Sequence, residues 1–431
     1  MKKQISAALV LAVLLGVFTV SSSAEVCTDP WGYPDEDGDG MIFLTLPGET
    51  YTAYMLIVLD PTRVVLGCSP ETIGGKGYEL SQYIEKYGAI AGVNGGGFDD
   101  PQGMGNGSMP DAAIVHGGEV YRPWLGIGNC FVGIDASGVL QVGFSRLEEL
   151  KERNIQEGAG YGPLLVMDGE PVDNSGYTFN SALNPRTAIG QRVDGAILLL
   201  VTDGRQPNSL GASYEDEAEL MLRFGAVNAV NLDGGNSSLM WLNGEYVNNK
   251  AHTIGVRPIP TSYLVMPEGT DPSWQPPELA EESLTGLTCE EAQHSAFHPE
   301  DYADNCSPAE KAALEEFAKQ YIEAYVRYSA DVNGMHNFNC TDIANLAVEG
   351  GALQARLKKA LGSFGYSFVR YSELITCDFE ACSEADGKYI IAASYQTETD
   401  ARSGPVVEQK RIWLTVVETD AGLRAETMHF Y

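Results

Sequence analysis

One eight-residue pattern occurs twice in this chain and restricts the folds that the sequence can adopt. Residues 87–94 (YGAIAGVN) align without gaps against residues 224–231 (FGAVNAVN). Each segment has the pattern of a helix end, a glycine cap and a buried strand. The residues before each segment are helical in pattern: the first has an apolar face, and the second opens with a capping box from Ser213 to Asp216. The sequence therefore predicts two equivalent helix-to-strand units.

Each predicted strand runs into a turn rich in glycine and polar residues. The two turns are residues 94–99 (NGGGFD) and residues 231–238 (NLDGGNSS). Glycine lets the backbone approach a ligand closely, and the N–H groups of such turns can form an anion-binding nest. One glycine cluster alone would indicate only a tight turn, whereas two matching clusters at buried strand ends favour a site. We therefore expect the two turns to face one site.

Residues 43–266 form the larger predicted domain, in which hairpin signals dominate. Short turn sequences lie between apolar runs at Gly117-Gly118, Ala136-Ser137-Gly138, Asp168-Gly169, Asp194-Gly195 and Asn243-Gly244. Strands over 54–59 and 63–68 flank a further turn at 60–62. Such signals predict an α+β fold with a hairpin-rich mixed sheet and few helices.

A second, smaller α+β domain is predicted over residues 289–431, after a linker at 267–288 that is rich in Pro, Glu, Ser and Gly. Ser307 to Glu310 is a capping box with Pro308 at the first helical position. One face of this helix is apolar: Leu314, Phe317, Ala318, Tyr321, Ile322, Tyr325 and Val326. A second helix near 343–361 and three or four strands follow. Helices followed by a curved sheet resemble the NTF2-like cone fold, and we expect an accessory role for this domain.

The N-terminus has the pattern of a secretory signal peptide. Lys2 and Lys3 precede an apolar run over residues 5–20, and small residues end at Ala24, where we expect cleavage. The apolar run is shorter than a bilayer span, and no lipobox precedes Cys27, so no membrane anchor is evident. We therefore predict that residues 1–24 are removed and that the protein is secreted to the extracellular space.

Cysteine usage fits an exported protein. The chain has eight cysteines, an even number, which favours disulfide bonds outside the cytoplasm. Five of them lie from residue 289 onward, so we expect at least one bridge within the C-terminal part. Cys68 and Cys130 lie in apolar stretches and are equally consistent with buried free thiols.

The formal net charge of −32 restricts the partners of this chain. A strongly acidic protein is repelled by nucleic acid and by anionic membranes. A phosphate-bearing substrate would therefore have to be bound by a local cationic pocket, since the overall field would not attract it. We expect no nucleic-acid partner.

Four motifs occur in the order found in phosphodiester glycosidases: residues 94–96 (NGG), 184–190 (NPRTAIG), 201–206 (VTDGRQ) and 231–238 (NLDGGNSS). Residues 50–266 resemble this family, which includes the lysosomal uncovering enzyme. The resemblance implies a hydrolase that removes a sugar such as N-acetylglucosamine from a phosphodiester and exposes a phosphomonoester. Many family members read NGGFF and DGGGSS where this chain has Gly97 and Asn236, a difference that bears on sugar specificity.

Three carboxylates are candidates for the catalytic chemistry. Asp203 and Asp233 each follow an apolar run and are placed where strands end, whereas Asp99 is a third candidate within a turn-like sequence. Glycosyl transfer to water needs a carboxylate near the anomeric carbon, as a base or as a nucleophile. The sequence leaves open which carboxylate has which role, and whether the anomeric centre is retained or inverted.

The predicted substrate-binding groups suit a phosphate. Arg186 and Arg205 can contact phosphate oxygens in a bidentate manner, and the alternative for either is a salt bridge to Asp203 or Asp233. The full set comprises Asn94, Gly95, Gly96, Arg186, Thr187, Arg205, Gly234, Gly235, Ser237 and Ser238.

No metal or other cofactor is predicted for this chemistry. The six histidines form no metal-binding spacing, and His116 and His252 are expected to be solvent-exposed. Asp35, Asp37 and Asp39 imitate the start of a calcium loop, so calcium is kept as an alternative, but Leu46 stands where a bidentate glutamate would be required. Residues 25–42 are therefore interpreted as an acidic, solvated leader.

The leading hypothesis is a secreted glycosidase that cleaves a sugar-1-phosphodiester, in cell-wall polymer, capsular glycan or other glycan turnover. One alternative is a phosphodiesterase that breaks the P–O bond. The other alternative is a non-catalytic extracellular module that binds phosphoglycans.

Overall fold

The computed structural model describes residues 27–68, 75–100, 105–122, 125, 131–177, 182–206, 208–249, 256–268, 285–291, 302, 304–330, 336–338, 340–360, 371–401 and 404–430. The predicted signal peptide, residues 269–284 of the predicted linker, Cys130 and His252 lie outside these residues.

Strands dominate the described chain up to residue 268. In chain order they are β1 Cys27–Thr28, β2 Pro34–Asp35, β3 Met41–Pro47, β4 Thr52–Val58, β5 Val64–Gly67, β6 Ala91–Asn94, β7 Val115–His116, β8 Glu119–Val120, β9 Phe131–Asp135, β10 Leu140–Gln141, β11 Ile155–Gly160, β12 Leu164–Met167, β13 Glu170–Pro171, β14 Arg186–Arg192, β15 Ile197–Thr202, β16 Ala226–Asn231, β17 Met240–Leu242, β18 Glu245–Tyr246 and β19 Ser262–Val265. The helices among them are α1 Leu80–Tyr87, α2 Glu149–Glu152 and α3 Tyr214–Arg223. The predicted α+β class is confirmed.

These strands form one two-stranded sheet and three larger sheets. The strand orders are β10-β9-β11-β7-β8, β13-β12-β16-β14-β15-β4-β3 and β18-β17-β6-β19-β5. All pairings between these strands are antiparallel, whereas a mixed sheet was expected. Short turns can join antiparallel neighbours directly, which accounts for the many hairpins in the sequence.

Strand β15 shows why the centre of the seven-stranded sheet reads as a continuous apolar run. Ile197, Leu199 and Val201 belong to one buried cluster, together with residues of β6 and β19. Leu198 and Leu200 belong to a second cluster, together with residues of α3. Because side chains alternate across a strand, a strand covered on both faces must be apolar at every position.

All five predicted hairpin turns are present. They join β7 to β8, β9 to β10, β12 to β13, β14 to β15 and β17 to β18. In the last turn Asn243 and Gly244 have φ values of 50° and 95°, the left-handed conformation that a tight two-residue hairpin requires.

Strands β4 and β5 do not form a hairpin, although the sequence places them around one short turn. Strand β4 pairs with β3 and β15, whereas β5 pairs with β19 in another sheet. Between them Pro61–Arg63 forms a 3-10 turn that Asp60 caps with its side chain. The buried Arg63 donates to the carbonyls of Met266 and Asp39, which holds the chain at this crossing between sheets.

The two predicted helix-to-strand units are present. Helix α1 ends at Gly88, with φ 68°, and leads to β6, whereas α3 is followed by Gly225, with φ 77°, and leads to β16. The Ser213 to Asp216 capping box opens α3 as predicted. The units lie in different sheets, so their turns approach each other from two layers of the domain.

The prediction of a solvated leader over residues 25–42 is wrong. Trp31 and Tyr33 are only 3% exposed and contribute to the core beneath α3. Asp29 accepts hydrogen bonds from the backbone N–H groups of both residues and forms a buried ion pair with Arg192 at 2.6 Å. This ion pair neutralises the Asp29 charge, so the acidic segment can pack against the domain.

The second domain consists of α4 Pro308–Val326, β20 Tyr328–Ala330, β21 His336–Phe338, α5 Cys340–Leu346, α6 Ala352–Ala360, β22 Tyr371–Ala385, β23 Lys388–Ala401, β24 Gly404–Thr419 and β25 Gly422–Phe430. Its sheet has the order β21-β20-β22-β23-β24-β25. The capping box of α4 is present, and the seven residues predicted for its apolar face are all buried. The single second helix predicted at 343–361 is two helices, because the chain turns at Gly350, which has φ 72°.

A disulfide bond between Cys306 and Cys382 joins the residue before the α4 cap to β22. It confirms the prediction of a bridge within the C-terminal part. Cys68 is buried and has no disulfide partner among the described residues, and burial raises its pKa to about 12. Among the described residues, none of the helices is both long enough and apolar enough to cross a bilayer.

Candidate functional site

The two glycine-rich turns meet, as predicted from their matching sequences. The Asp233 N–H donates to the carbonyl of Gly95 at 3.1 Å, and the Asn94 side-chain amide donates to the carbonyl of Asp233 at 2.6 Å. Turns that follow β6 and β16 are therefore joined directly at their first residues. This contact defines the candidate site.

Asn94 and Thr187 hold this junction together from inside the protein. Both side chains are fully buried. The Asn94 Oδ1 accepts hydrogen bonds from the Thr187 hydroxyl at 2.7 Å and from the Leu239 N–H at 3.1 Å. Since the amide of Asn94 also donates to Asp233, its polar atoms are committed within the protein. The structure thus gives these two predicted substrate-binding residues a positioning role.

The glycine amides do not form the predicted anion-binding nest in this structure. The N–H groups of Gly95 and Gly96 donate to the carbonyl and the hydroxyl of Thr261, and the N–H of Gly235 donates to the carbonyl of Pro185. These bonds tie the turns to neighbouring strand ends. Three of the four glycine amides predicted to bind substrate are therefore already satisfied.

Close packing explains why glycine is needed at two positions where this chain was aligned with the family motifs. A Cβ atom at Gly97 would lie 1.9 Å from the ring of Tyr161, so glycine makes room for that ring. Gly235 has φ 61°, and a Cβ there would lie 2.9 Å from the Arg205 guanidinium. Both glycines therefore give a functional side chain access to the junction.

Asp233 is the half-buried carboxylate of the junction. Burial raises its pKa to about 7, against the opposing effects of the Ser237 hydroxyl and the Arg257 charge. The neighbouring carboxylates Asp100 and Asp111 raise it further, because like charges disfavour ionisation. A carboxyl group with a pKa near 7 can exchange a proton at neutral pH.

The charges of two guanidinium groups, those of Arg205 and Arg257, interact with the Asp233 carboxyl group. Arg205 is half-buried, with its Nε and Nη2 donating to the Asn184 side-chain oxygen at 3.0 and 2.8 Å, and burial lowers its pKa while Asp233 raises it. Arg257 is buried, forms two contacts with the Asp100 carboxylate, at 2.8 and 2.7 Å, and lies 4.7 Å from the centre of the Phe98 ring. The structure thus places two guanidinium groups near Asp233 in an otherwise acidic chain.

Arg257, Asp100 and Asn184 were not among the predicted site residues. Asn184 stands in one of the four quoted motifs, so the motif itself was a signal for it. Arg257 is one of few cations in an acidic chain and precedes a proline, but the sequence gives it no distinguishing spacing. Its contact with Asp100 joins residues separated by 157 positions, which no local pattern can indicate.

Arg186 is buried, with 2% exposure, and its charge lowers the pKa of Arg205. Its guanidinium donates to the carbonyls of Ala212 and Ala182 and stacks 3.9 Å from the centre of the Tyr214 ring. The Glu217 carboxylate lies 4.0 Å from its Nε. The acidic neighbour of Arg186 is thus Glu217, whose pKa burial raises well above its usual value, and not Asp203 or Asp233 as the salt-bridge alternative had it.

Asp203 has no exposed surface. One carboxylate oxygen accepts from the Asn249 backbone N–H at 2.9 Å, and the other accepts from the Asn249 side chain at 3.0 Å and the Tyr54 hydroxyl at 3.1 Å. Burial raises the pKa of Asp203 to about 7, and the charge of Lys410 is the largest opposing effect. In this structure Asp203 orients its neighbours and does not face solvent.

The other predicted site residues surround Asp233. Ser237 and Ser238 are both buried, and the Ser238 hydroxyl has no hydrogen-bond partner among the described residues. Gly234 is half-buried at the start of the 3-10 turn Gly235–Ser237. Asp99 is exposed, and its backbone N–H donates to the Met109 carbonyl at 2.7 Å.

Two further predictions concern metal-binding residue types. The ligand atoms of Asp35, Asp37 and Asp39 all lie within 4.8 Å of one another, and the Asp35 carboxylate accepts hydrogen bonds from backbone N–H groups of the same turn.

His116 is half-buried in an ion pair with Glu157 at 2.9 Å, which raises the pKa of the histidine. The expectation that His116 is solvent-exposed is therefore wrong.

The first domain is thus an α+β domain in which carboxylate and guanidinium groups meet where strands end. Residues 87–266 match the model of the family described as phosphodiester glycosidase. The resemblance seen in the four motifs is thus confirmed for these residues.

Individual relatives are similar over parts of their length. The chain is 33% identical over 121 residues to the SPbeta prophage-derived uncharacterized protein YomE of Bacillus subtilis, covering 28% of this chain and 19% of that protein. It is 26% identical over 219 residues to the mouse N-acetylglucosamine-1-phosphodiester alpha-N-acetylglucosaminidase, covering 46% of this chain and 41% of that enzyme. The solved catalytic domain of the zebrafish enzyme of that name, described as auto-inhibited by its pro-peptide, gives a TM-score of 0.46 at 21% identity over 52% of this chain and 82% of that chain. The chain thus spans less than half the length of the two sequence relatives.

Proposed function

We propose that this protein hydrolyses the glycosidic bond of a sugar-1-phosphodiester, releasing a free sugar and a phosphomonoester. The observation that carries the proposal is the convergence of Asp233 with Arg205 and Arg257 at the junction of the two turns. The family match supports the same reaction class, and the names of the mouse and human relatives indicate N-acetylglucosamine as the first sugar to test.

Asp233 suits the role of the carboxylate that glycosyl transfer requires. In the proposed reaction a water oxygen bonds to the anomeric carbon, and its proton passes to ionised Asp233. The bond from that carbon to the phosphate oxygen breaks, and its electron pair stays with the phosphate. Asp233 could serve equally as the nucleophile of a two-step reaction, and the geometry leaves both routes open.

Arg205 and Arg257 suit the departing phosphate. A phosphomonoester leaves with additional negative charge, and positioned guanidinium groups stabilise such charge where it develops. Arg205 is held in position by Asn184 and Asn236, and Arg257 by Asp100. A fixed orientation of the donors reduces the reorganisation that the transition state would otherwise require.

Turnover of N-acetylglucosamine-1-phosphodiesters such as UDP-N-acetylglucosamine tests the proposal. Asp233→Asn is expected to lower kcat/KM by roughly 100-fold or more, because it removes a proton-accepting group, and Arg205→Met by about 100-fold. Asp168→Asn is the matched control, since Asp168 is an exposed hairpin residue with φ 52° that asparagine also adopts. Full activity of folded Asp233→Asn would refute the assignment.

Hydrolysis in water labelled with heavy oxygen distinguishes the proposed reaction from phosphodiester cleavage. Label in the released sugar shows attack at carbon, whereas label in the phosphate shows attack at phosphorus. If the protein binds sugar-1-phosphodiesters but turns none over, the binding-module alternative takes precedence.

We also propose that the protein acts outside the cytoplasm, on a cell-wall or capsular glycan that carries such phosphodiesters. The signal-peptide pattern at residues 1–24 and the Cys306–Cys382 disulfide support export, since such bridges persist in oxidising compartments. N-terminal sequencing of protein recovered from the culture medium tests the cleavage after Ala24.

A further inference from the structure

The chain segment that carries Arg205 connects β15 to α3 and contacts the second domain. Leu210, and Leu183 from the segment before β14, belong to the same buried cluster as Tyr321 and Tyr395 of the second domain. Asn208 is buried, and its amide donates to the Thr397 hydroxyl at 2.8 Å and to the Glu408 carboxylate at 2.7 Å. The segment from Asp203 to Ala212 is therefore held by both domains.

A second set of contacts joins the domains at the start of α3. Arg356 of α6 forms a two-point contact with Asp216, at 2.9 and 2.7 Å, and donates from its Nε to the Thr50 hydroxyl at 3.0 Å. The same Asp216 closes the capping box with Ser213. The second domain thus contacts the segment that carries Arg205 and also α3, the helix that precedes β16 and Asp233.

Strand β24 presents two charged residues to this interface. Glu408 and Lys410 are separated by one position, so their side chains lie on the same face of the strand. The contact of Glu408 with Asn208 shows that this face is directed towards the first domain. From that face the charge of Lys410 lowers the pKa of Asp203, and the charge of Glu408 raises the pKa of Tyr54. The Tyr54 hydroxyl in turn donates a hydrogen bond to Asp203.

We propose that Lys410 is a positioning residue of the site: it is the counter-ion of Asp203 supplied by the second domain, and it holds in place the segment that carries Arg205. This inference rests on the proposed function for its catalytic consequence. It assigns the second domain a part in the site, in contrast to the accessory role expected from the sequence.

The physical reason is the cost of an isolated buried charge. Without Lys410 the Asp203 carboxylate would be buried without its principal cation, and it would take up a proton at higher pH. A protonated carboxyl group has one acceptor site fewer for the three hydrogen bonds from Asn249 and Tyr54. Arg205 lies two residues further along the chain and would lose its fixed position near Asp233.

Direct titration of Asp203 tests the charge relation without any assay of activity. In protein labelled with ¹³C at the aspartate carboxyl carbons, the Asp203 signal is identified by its loss in Asp203→Asn. Lys410→Met is expected to raise the Asp203 titration midpoint by about one pH unit. Lys410→Arg should restore it, and Glu408→Gln should move it in the opposite direction while keeping an acceptor for Asn208.

Lys388→Met is the matched control. Lys388 is an exposed residue of β23 in the same sheet, paired with Glu426 at 2.5 Å, and it has no contact with Asn208 among the described residues. Equal midpoints in Lys410→Met, Lys388→Met and the unmodified protein would overturn the proposal. Glu408→Gln provides the same test of sign if Lys410→Met does not fold.

The kinetic consequence is measured on N-acetylglucosamine-1-phosphodiester. In Lys410→Met, kcat at pH 7 should fall about 10-fold with a smaller change in KM, with an altered pH profile that Lys410→Arg restores. An altered Asp203 midpoint with an unchanged pH profile would overturn the positioning role. If the unmodified protein turns over no sugar-1-phosphodiester, the proposed function fails, and the carboxyl titration alone decides the charge relation.

Discussion

Replacement of Asp203 by asparagine should change how the stability of this protein depends on pH. Burial holds the pKa of this carboxyl at about 7, above its usual value of 3.8. The folded protein therefore binds a proton more readily than the unfolded chain between about pH 4 and pH 7. The Asp203 contribution to stability is fully present below the unfolded pKa and is lost as pH rises through the folded pKa.

The size of this loss follows from the difference between the two pKa values. One pH unit corresponds to about 1.4 kcal/mol, so about three units correspond to about 4 kcal/mol. Asparagine carries no charge at any pH and removes this dependence. Its amide would face the amide of Asn249, so one hydrogen bond is lost at a pH-independent cost of about 1–3 kcal/mol.

The assay is urea unfolding, followed by tryptophan fluorescence, at one-unit steps from pH 4 to pH 8. Asp203→Asn should be less stable than the unmodified protein at pH 4 and should gain on it by about 4 kcal/mol by pH 8. Asp386→Asn is the control, because Asp386 is exposed and has φ 53°, which asparagine tolerates. A stability difference that stays constant across this pH range would refute the reasoning.

Three further substitutions test other parts of the structure. Cys306→Ser removes the bridge to β22 and should cost about 2–5 kcal/mol of stability, measured as a lower Tm that reductant no longer changes. Asp29→Asn removes one of the two carboxylates that pair with the buried Arg192, which keeps Asp194, and should cost about 1–3 kcal/mol in urea unfolding, whereas an unaffected midpoint would contradict a packed leader. Gly97→Ala should displace the Tyr161 ring, because the added Cβ meets that ring at 1.9 Å. It should therefore lower kcat/KM at a temperature at which the variant is still fully folded. If kcat/KM falls only where Tm measurements show loss of folded protein, Gly97 serves stability alone.

Local chemistry explains why parts of the fold could be predicted. The hairpin at Asn243 and Gly244 follows from residues that tolerate left-handed backbone, and α4 follows from its cap and its apolar face. Where the prediction was wrong, distant contacts decided the outcome. Strand β5 left the expected hairpin because Arg63 is bound by carbonyls of residues 39 and 266.

The site shows the same division. The matching turns predicted that Asn94 and Asp233 lie near each other, and they do. The sequence could not distinguish Arg186 from Arg205, since both stand beside turn residues in motifs of the family. The structure buries Arg186 against Tyr214 and Glu217 and places Arg205 beside Asp233.

The sequence by itself determined the α+β class, the two helix-to-strand units, the five hairpins and the resemblance of the first domain to phosphodiester glycosidases. These features depend on the periodicity, caps and turns of neighbouring residues, which are local interactions. Only the tertiary structure decided which polar groups are buried and what they contact. Asn208 meets Glu408 across 200 positions of sequence, and the charge of Lys410, two residues further along the same strand, lowers the pKa of Asp203. Burial and electrostatic environment depend on such distant contacts, because they arise only when separate sheets and domains pack together.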